Sequence, residues 1–214
     1  MTLVERPQTA AEELANVLSH GLGLLLAIAS LPVLVVFASR HGTTSNVIGA
    51  SVFSATMILL YFASALFHAL PPGRAKRFCN TLDHVAIYLF IAGSYTPFAL
   101  GVLPGSWRWT VLGLVWTLAF VGVVLKATQR LNNLLLSTAL YVALGWLVVI
   151  AAGPLMRGLS PAGLAWLIAG GLAYSVGVVF FLLDSRLRFG HFVWHLFVLT
   201  GSTCHFCCAL WHIR

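Results

Sequence analysis

Charged residues are scarce in this sequence of 214 residues. Five are acidic and twelve are lysine or arginine, which together make up 8% of the chain. A soluble domain carries about 25% charged residues on a surface that water can solvate. With 60% hydrophobic residues and a mean hydropathy of +0.96, this chain cannot form such a surface. A soluble globular domain is therefore excluded, and we expect a membrane protein.

Cysteine is also rare, and extended basic segments are missing. Four cysteines, three of them in one apolar stretch, do not make a disulfide framework. The net charge of +7 comes from lysines and arginines scattered between apolar runs, so we expect no nucleic-acid partner. No basic segment precedes the first apolar run, so we expect no cleaved signal peptide.

Apolar runs dominate what is present. They cover residues 17–38, 47–70, 82–103, 107–126, 134–155, 161–183 and 190–211. About 20 residues cross the hydrocarbon as a helix, and open sheet edges are not tolerated there. We predict one all-α domain, a seven-transmembrane helix bundle over residues 1–214, with a short N-terminal interfacial segment, residues 1–16. Thr9 and Glu12 have capping-box spacing, which predicts a helix that starts near Ala10 and either lies at the interface or enters the first span.

Lysine and arginine are distributed unevenly between the two sides of this bundle. The side that carries Arg6 receives eight of them, and the side that carries Arg40 and Arg214 receives four. The richer side is cytoplasmic by the positive-inside rule. We therefore expect the N-terminus in the cytoplasm and the C-terminus outside.

Ionisable side chains gather at the predicted cytoplasmic end. They include all five acidic residues and five of the eight histidines: Glu5, Glu12, Glu13, Asp83, Asp184, His20, His68, His84, His191 and His195. Such groups are costly within or beside a span unless they are paired or coordinated. Their gathering at one depth, from four spans, indicates a functional site.

Three of these histidines have a pattern typical of metal ligands. His191 and His195 lie four residues apart, so both imidazoles occupy one helical face and can share a Zn²⁺ ion. His68, at the inner end of the second span, supplies a third ligand. Three histidines leave one coordination position open, as in catalytic zinc sites. The alternative is that these are packed or snorkelling histidines.

Asp83 and Ser64 are the candidate catalytic residues. A carboxylate beside the metal can accept the proton of an activated water molecule as it attacks a carbonyl. The hydroxyl of Ser64 can donate to the oxyanion that develops. The alternative is that Asp83 is a helix N-cap and Ser64 a small packing residue.

Four further polar residues are candidates for orienting the ligands: Glu13, Asn16, His20 and His84. Metal-bound imidazoles usually give their other N–H to a carboxylate or carbonyl. A structural polar clasp between helices is the alternative for the residues on the first span. We interpret Asp184 as an ordinary interfacial ion pair or cap.

A rival metal cluster lies at the other end of the last span. It comprises Cys204, His205, Cys207, Cys208 and His212. Thiolates and imidazoles at helical spacing can bind zinc. No carboxylate accompanies them, so we favour buried, inert thiols.

Four sequence segments together resemble the bacterial hemolysin III branch of the progestin and adipoQ receptor family. They are Glu12-Glu13-Leu-Ala-Asn16-Val-Leu-Ser-His20-Gly21, Ser64-x₃-His68, Asp83-His84 followed by Gly93-Ser-Tyr-Thr-Pro97, and His191-x₃-His195. The match runs in order along almost the whole chain. The wider superfamily also contains alkaline ceramidases and is regarded as a group of metal-dependent membrane hydrolases.

The resemblance implies seven helices and a zinc ion held by His68, His191 and His195, with Asp83 and Ser64 beside it. It also implies a multi-pass protein of the bacterial inner membrane. The first functional hypothesis is a zinc-dependent hydrolase of a lipid acyl amide or ester, linked to membrane lipid homeostasis. The second is a lipid-sensing regulator with a structural zinc, and the third is a cytolytic pore former.

Overall fold

The computed structural model describes residues 6–212, so Glu5 and Arg214 lie outside the described part. Within it the chain is helical, without strands. The helices are α1 (Ala10–His41), α2 (Thr44–Ala69), α3 (Arg74–Gly101), α4 (Gly105–Ala127), α5 (Leu134–Trp146), α6 (Ala152–Gly158), α7 (Pro161–Leu182) and α8 (Gly190–His212). A 3₁₀ segment, Leu147–Ala151, joins α5 to α6. Seven spans are long and apolar enough to cross a membrane, with α5, the 3₁₀ segment and α6 forming the fifth, which confirms the predicted fold class.

Helix α1 begins at a capping box, as predicted. The Thr9 hydroxyl accepts a hydrogen bond from the Glu12 amide at 3.3 Å, and the Glu12 carboxylate accepts one from the Thr9 amide at 2.9 Å. Of the two alternatives, the helix runs directly into the first span and continues to His41. The segment from Ala10 to Asn16 is therefore its first two turns.

Helix α3 is longer than the predicted third span and is the most buried of the seven. It starts at Arg74, with Gly73 as its N-cap, and so Asp83 lies in its third turn. The interpretation of Asp83 as a helix cap is therefore wrong. The turns of α3 before Asp83 contain charged residues, so their hydropathy is too low for the sequence to assign them to a span. They nevertheless continue the helix beyond the apolar run.

The fifth span departs from the predicted uninterrupted helix. Tyr95 of α3 donates to the carbonyls of Leu144, at 3.0 Å, and Gly145, at 2.6 Å, and accepts from the amide of Val148 at 2.8 Å. A buried hydroxyl thus binds backbone groups that the 3₁₀ segment leaves without α-helical partners. Irregular backbone at membrane depth requires such a partner.

Packing is uneven around the bundle. Helices α1, α2 and α3 form one closely packed layer, α7 packs mainly on α8, and the fifth span touches its neighbours sparingly. Gly93 of α3 faces the side chain of Thr56, where a larger residue could not fit, as is usual for helices that approach closely in membranes.

The space left beside the fifth span is a cavity. It opens at the site end, which we define by the starts of α1, α3, α5 and α8 and the ends of α2, α4 and α7.

Candidate metal centre

Three histidines meet at the site end. His68 lies in the last turn of α2, and His191 and His195 lie in the first two turns of α8. Their ring centroids are 4.7–5.1 Å apart, and one ligand atom from each lies within 4.8 Å of the other two. Among the described residues, this is the one group with the geometry of a metal site. The histidines that the sequence selected are therefore close enough to hold one ion.

Two of these imidazoles are oriented by carboxylates. The Nδ1 atom of His68 lies 2.6 Å from Oε2 of Glu13, and Nδ1 of His191 lies 2.9 Å from Oδ2 of Asp184. With the proton on Nδ1, each ring donates to its carboxylate and keeps Nε2 as the ligand atom. Nε2 of His68 is buried without a hydrogen-bond partner, as expected of a metal-ligand atom.

The third imidazole is oriented by a hydroxyl. Nδ1 of His195 lies 3.0 Å from the Ser19 Oγ, and that hydroxyl donates to the carbonyl of Asn16 at 3.0 Å. Since its single proton is used there, the Ser19 oxygen accepts from the His195 Nδ1–H. All three rings therefore present Nε2. This donor set fits a zinc ion, whose usual histidine sites have such partners.

The polar residues of α1 lie against the three histidines. Glu13 bridges His68 and Lys76, whose Nζ lies 2.8 Å from the second carboxylate oxygen. The Asn16 amide lies 3.4 Å from Nδ1 of His68 and 2.5 Å from the side-chain oxygen of Gln8. His20 stacks on His195 with a centroid separation of 3.4 Å.

Ser64 and Asp83 lie beside the three histidines. The Ser64 Oγ is 2.7 Å from Nδ1 of His20, which fixes the buried hydroxyl. The Asp83 carboxylate interacts with the Ser64 side chain and lies within electrostatic range of His191. His84, the fourth orienting candidate, binds the carbonyl of Asn80 in its own helix at 2.8 Å. The structure thus joins Asp83 and Ser64 to the cluster and gives His84 a local partner.

Sequence reasoning missed the roles of Asp184, Ser19 and Glu12. Asp184 binds a candidate ligand, His191, where an ordinary interfacial pair or cap was expected. Glu12 is buried and accepts from the Phe189 amide at 2.9 Å, which fixes the α7–α8 connection to α1. Its carboxylate also pairs with Arg6 and raises the pKa of that guanidinium. Asp184 and Glu12 were noted as members of the acidic group, and Glu12 also as a capping-box residue, whereas Ser19 appeared only within the first of the resembling segments.

The rival cluster on α8 does not assemble. The Cys208 thiol donates to the carbonyl of Gly163 at 3.1 Å, and the His205 ring packs near Tyr174 and Phe98. All four cysteines are free thiols, in keeping with the absence of a disulfide framework.

A cavity of about 1060 Å³ begins at the site and continues into the bundle. His68, Asp83 and His191 line its polar part. Deeper, Ile87, Ile91 and other apolar side chains of α3, α5, α7 and α8 form its wall. The cavity therefore has a polar end at the three histidines and an apolar interior.

Fold and site together define a multi-pass α-helical membrane protein with a three-histidine cluster at one end of its bundle. The chain belongs to the family described as Haemolysin-III related, whose model matches residues 8–206. It is 43% identical to Hemolysin-3 of Bacillus cereus over 206 residues, or 96% of this chain and 94% of that protein. The Hemolysin-3 homolog of Bacillus subtilis (strain 168) is 42% identical over 204 residues, 95% of each chain.

A more distant similarity reaches animals. Monocyte to macrophage differentiation factor of Homo sapiens is 28% identical over 217 residues, 95% of this chain and 84% of that protein. No solved structure matches the chain. The resemblance to the hemolysin III branch is confirmed, and the distant relative fits the wider progestin and adipoQ receptor family.

Proposed function

We propose that the protein is a zinc-dependent hydrolase that cleaves an acyl amide or ester of a membrane lipid. One observation carries the proposal: three imidazoles converge with Nδ1 engaged and Nε2 available, at the polar end of an apolar cavity. This combination suits a ligand with a hydrolysable carbonyl and a long acyl chain.

In this proposal His68, His191 and His195 hold the zinc ion. When bound, zinc supplies Lewis-acid activation of water and of a carbonyl group. Glu13, Asp184 and Ser19 hold the three rings in the tautomer that keeps Nε2 free.

Asp83 is the group that accepts and returns the proton. Hydrolysis adds the elements of water across the C–N or C–O bond: the acyl carbon gains oxygen, and the leaving nitrogen or oxygen gains a proton. The Asp83 carboxylate accepts a proton from the attacking water and returns it to the leaving group. With its own proton on Nδ1, His20 donates to Ser64, which leaves the Ser64 proton for the Asp83 carboxylate. When Asp83 has accepted the proton of water, the Ser64 hydroxyl is free to donate to the oxyanion.

The membrane setting follows from the same arrangement. We infer that the site end faces the cytoplasm of a bacterial inner membrane, because eight of the twelve lysines and arginines lie there. A lipid can then reach the site with its carbonyl near the membrane surface and its chain in the hydrocarbon. Such a reaction would change membrane lipid composition.

The test is fatty-acid release by purified protein in lipid, with a panel of ceramides, N-acyl amides and acyl esters. We expect release that stops with a chelator and returns with added zinc. His41→Ala, which alters a histidine at the opposite end of the bundle, is the matched control and should behave as wild type. Lipid binding without release would favour the sensing hypothesis, and dye leakage from liposomes without release would favour the pore former.

A further inference from the structure

The face of α3 that lines the cavity changes character along its length. Arg77, Asn80 and His84 occupy one helical stripe at spacings of three and four residues, and Ile87 and Ile91 continue it deeper. All five line the cavity. The wall is thus polar and cationic near the opening at the site end, which we call the mouth, and apolar beyond His84.

Asp83 lies at this boundary, next to His84 on the same helix. A lipid carbonyl that reaches Asp83 therefore has the apolar wall on one side, for its acyl chain. The cationic mouth lies on the other side of Asp83, where groups within a few bonds of the carbonyl would be placed. The boundary fixes where the polar part of the ligand must lie.

Two cations at this mouth have no carboxylate partner. Among the described residues, carboxylates pair with two cations, Arg6 and Lys76, and with the neutral rings of His68 and His191. Lys126 is partly buried, and its Nζ is 3.3 Å from the carbonyl of Leu131. Arg77 is exposed, lines the same cavity and takes part in none of these pairs. One backbone carbonyl leaves the charge of this partly buried ammonium without a counter-charge, so an anionic ligand would be stabilised there.

The connection between α4 and α5 holds Lys126 in place. Gln129, in the left-handed region at φ 58°, donates its side-chain amide to the Thr81 hydroxyl of α3 at 3.1 Å. The Asn132 side chain donates to the Gln129 carbonyl at 2.8 Å. Lys126 also lies within electrostatic range of His84. The cations of the mouth therefore lie on two helices, α3 and α4, and their positions do not depend on an unattached loop.

We propose that the mouth binds the phosphate of an anionic acyl lipid, with Lys126 and Arg77 as the cations that recognise it. A glycerophospholipid carries its phosphate within a few bonds of its ester carbonyls, which matches the order of cations, Asp83 and apolar wall along α3. The further claim that this bound lipid is the substrate rests on the proposed function. The positive-inside rule explains cations at this end of the bundle but does not require them to line the cavity.

The experiment measures preference for an anionic headgroup in two ways. Fatty-acid release is compared between phosphatidylglycerol and diacylglycerol of the same chains in the same detergent micelles. Binding is compared between the two ether-linked analogues, which cannot be hydrolysed, as labelled lipid retained by the protein. We expect wild type to prefer phosphatidylglycerol in both assays, and Lys126→Gln to lower that preference about tenfold, the value of one charge-assisted contact. Arg77→Gln should give a smaller decrease, since Arg77 is more exposed.

Arg130→Gln is the matched control. Arg130 is an exposed cation four residues from Lys126, in the connection that follows α4, and does not line the cavity. It should keep the full preference. Equal loss in Lys126→Gln and Arg130→Gln would assign the effect to general surface charge and overturn the proposal. Zinc content and thermal unfolding of each variant show whether the variant is folded.

The remaining outcomes separate this inference from the proposed function. Headgroup preference in ether-lipid binding, lost in Lys126→Gln but without fatty-acid release, supports the phosphate site and rejects the hydrolase. Hydrolysis without preference for phosphatidylglycerol rejects the phosphate site alone. Glycerol 3-phosphate is added as a competitor, and if it binds as tightly as the ether phospholipid, the site takes a soluble phosphate and the lipid proposal fails.

Discussion

The carboxylate of Asp184 lies 2.9 Å from Nδ1 of His191, across the connection between α7 and α8. This hydrogen bond links the end of one span to the first turn of the next. It sets the tautomer of the imidazole and directs Nε2 toward His68 and His195. Glu13 does the same for His68 from a different helix.

The first prediction concerns this carboxylate. Asp184→Asn should weaken zinc binding about 10–100-fold, because a ligand loses the partner that orients it and raises its basicity. Glu13→Gln should have a similar effect on His68. Zinc affinity is measured by competition with a chromophoric chelator. Arg186→Gln, in the same connection, is the control and should bind zinc as wild type does; equal affinity in all four proteins would contradict the prediction.

The second prediction concerns the ligands. His68→Ala, His191→Ala and His195→Ala should each lose most of the metal, because two imidazoles remain at a site that needs three protein ligands. His84→Ala should retain it, since His84 binds the backbone of its own helix. Elemental analysis of detergent-purified protein gives the zinc content per chain. Full occupancy in the first three variants would mean that the metal binds elsewhere.

Hydropathy and helical spacing were enough to predict the seven spans and the meeting of three histidines. The spans follow from local composition, and His191 and His195 share a face because they lie on one helix. Glu13, the partner of His68, was among the orienting candidates, but the partners of His195 and His191 could not be predicted in the same way. Ser19 reaches His195, and Asp184 reaches His191, through the packing of α1 and a loop against α8. The 3₁₀ segment was missed for the same reason, since a hydroxyl on α3, that of Tyr95, binds it.

The third prediction concerns the stability of the site end. Glu12→Ala should lower the free energy of unfolding by roughly 1–3 kcal/mol, because it leaves the Phe189 amide and Arg6 without their acceptor. Thermal unfolding in detergent should be compared with and without zinc. A decrease in melting temperature in both conditions is expected, with Glu12→Gln intermediate. A decrease seen only with zinc would show that Glu12 acts through the metal and not through its hydrogen bonds to Arg6 and Phe189.

The fourth prediction concerns orientation. We expect a cytoplasmic N-terminus and an external C-terminus from the eight-to-four distribution of lysine and arginine. A reporter fused after the last residue should be active only if it is of the kind that works outside the cytoplasm. A fusion in the connection between α4 and α5 is the internal control and should give the opposite result. Activity of the cytoplasmic reporter at the C-terminus would reverse the assignment.

The last prediction separates proton transfer from metal binding. Asp83 contacts Ser64 and is near His191, but the three histidines alone are expected to hold the ion. Asp83→Asn should therefore keep most of the zinc while lowering fatty-acid release about 10²–10⁴-fold, since an amide cannot accept the proton. Ser64→Ala should also keep the metal and show a smaller decrease in rate, because it removes one of several groups that stabilise the oxyanion. Both variants are assayed with the best substrate of the lipid panel, with zinc content measured on the same samples. If Asp83→Asn loses its zinc, Asp83 is a ligand; if it releases fatty acid as fast as wild type, Asp83 is not the base.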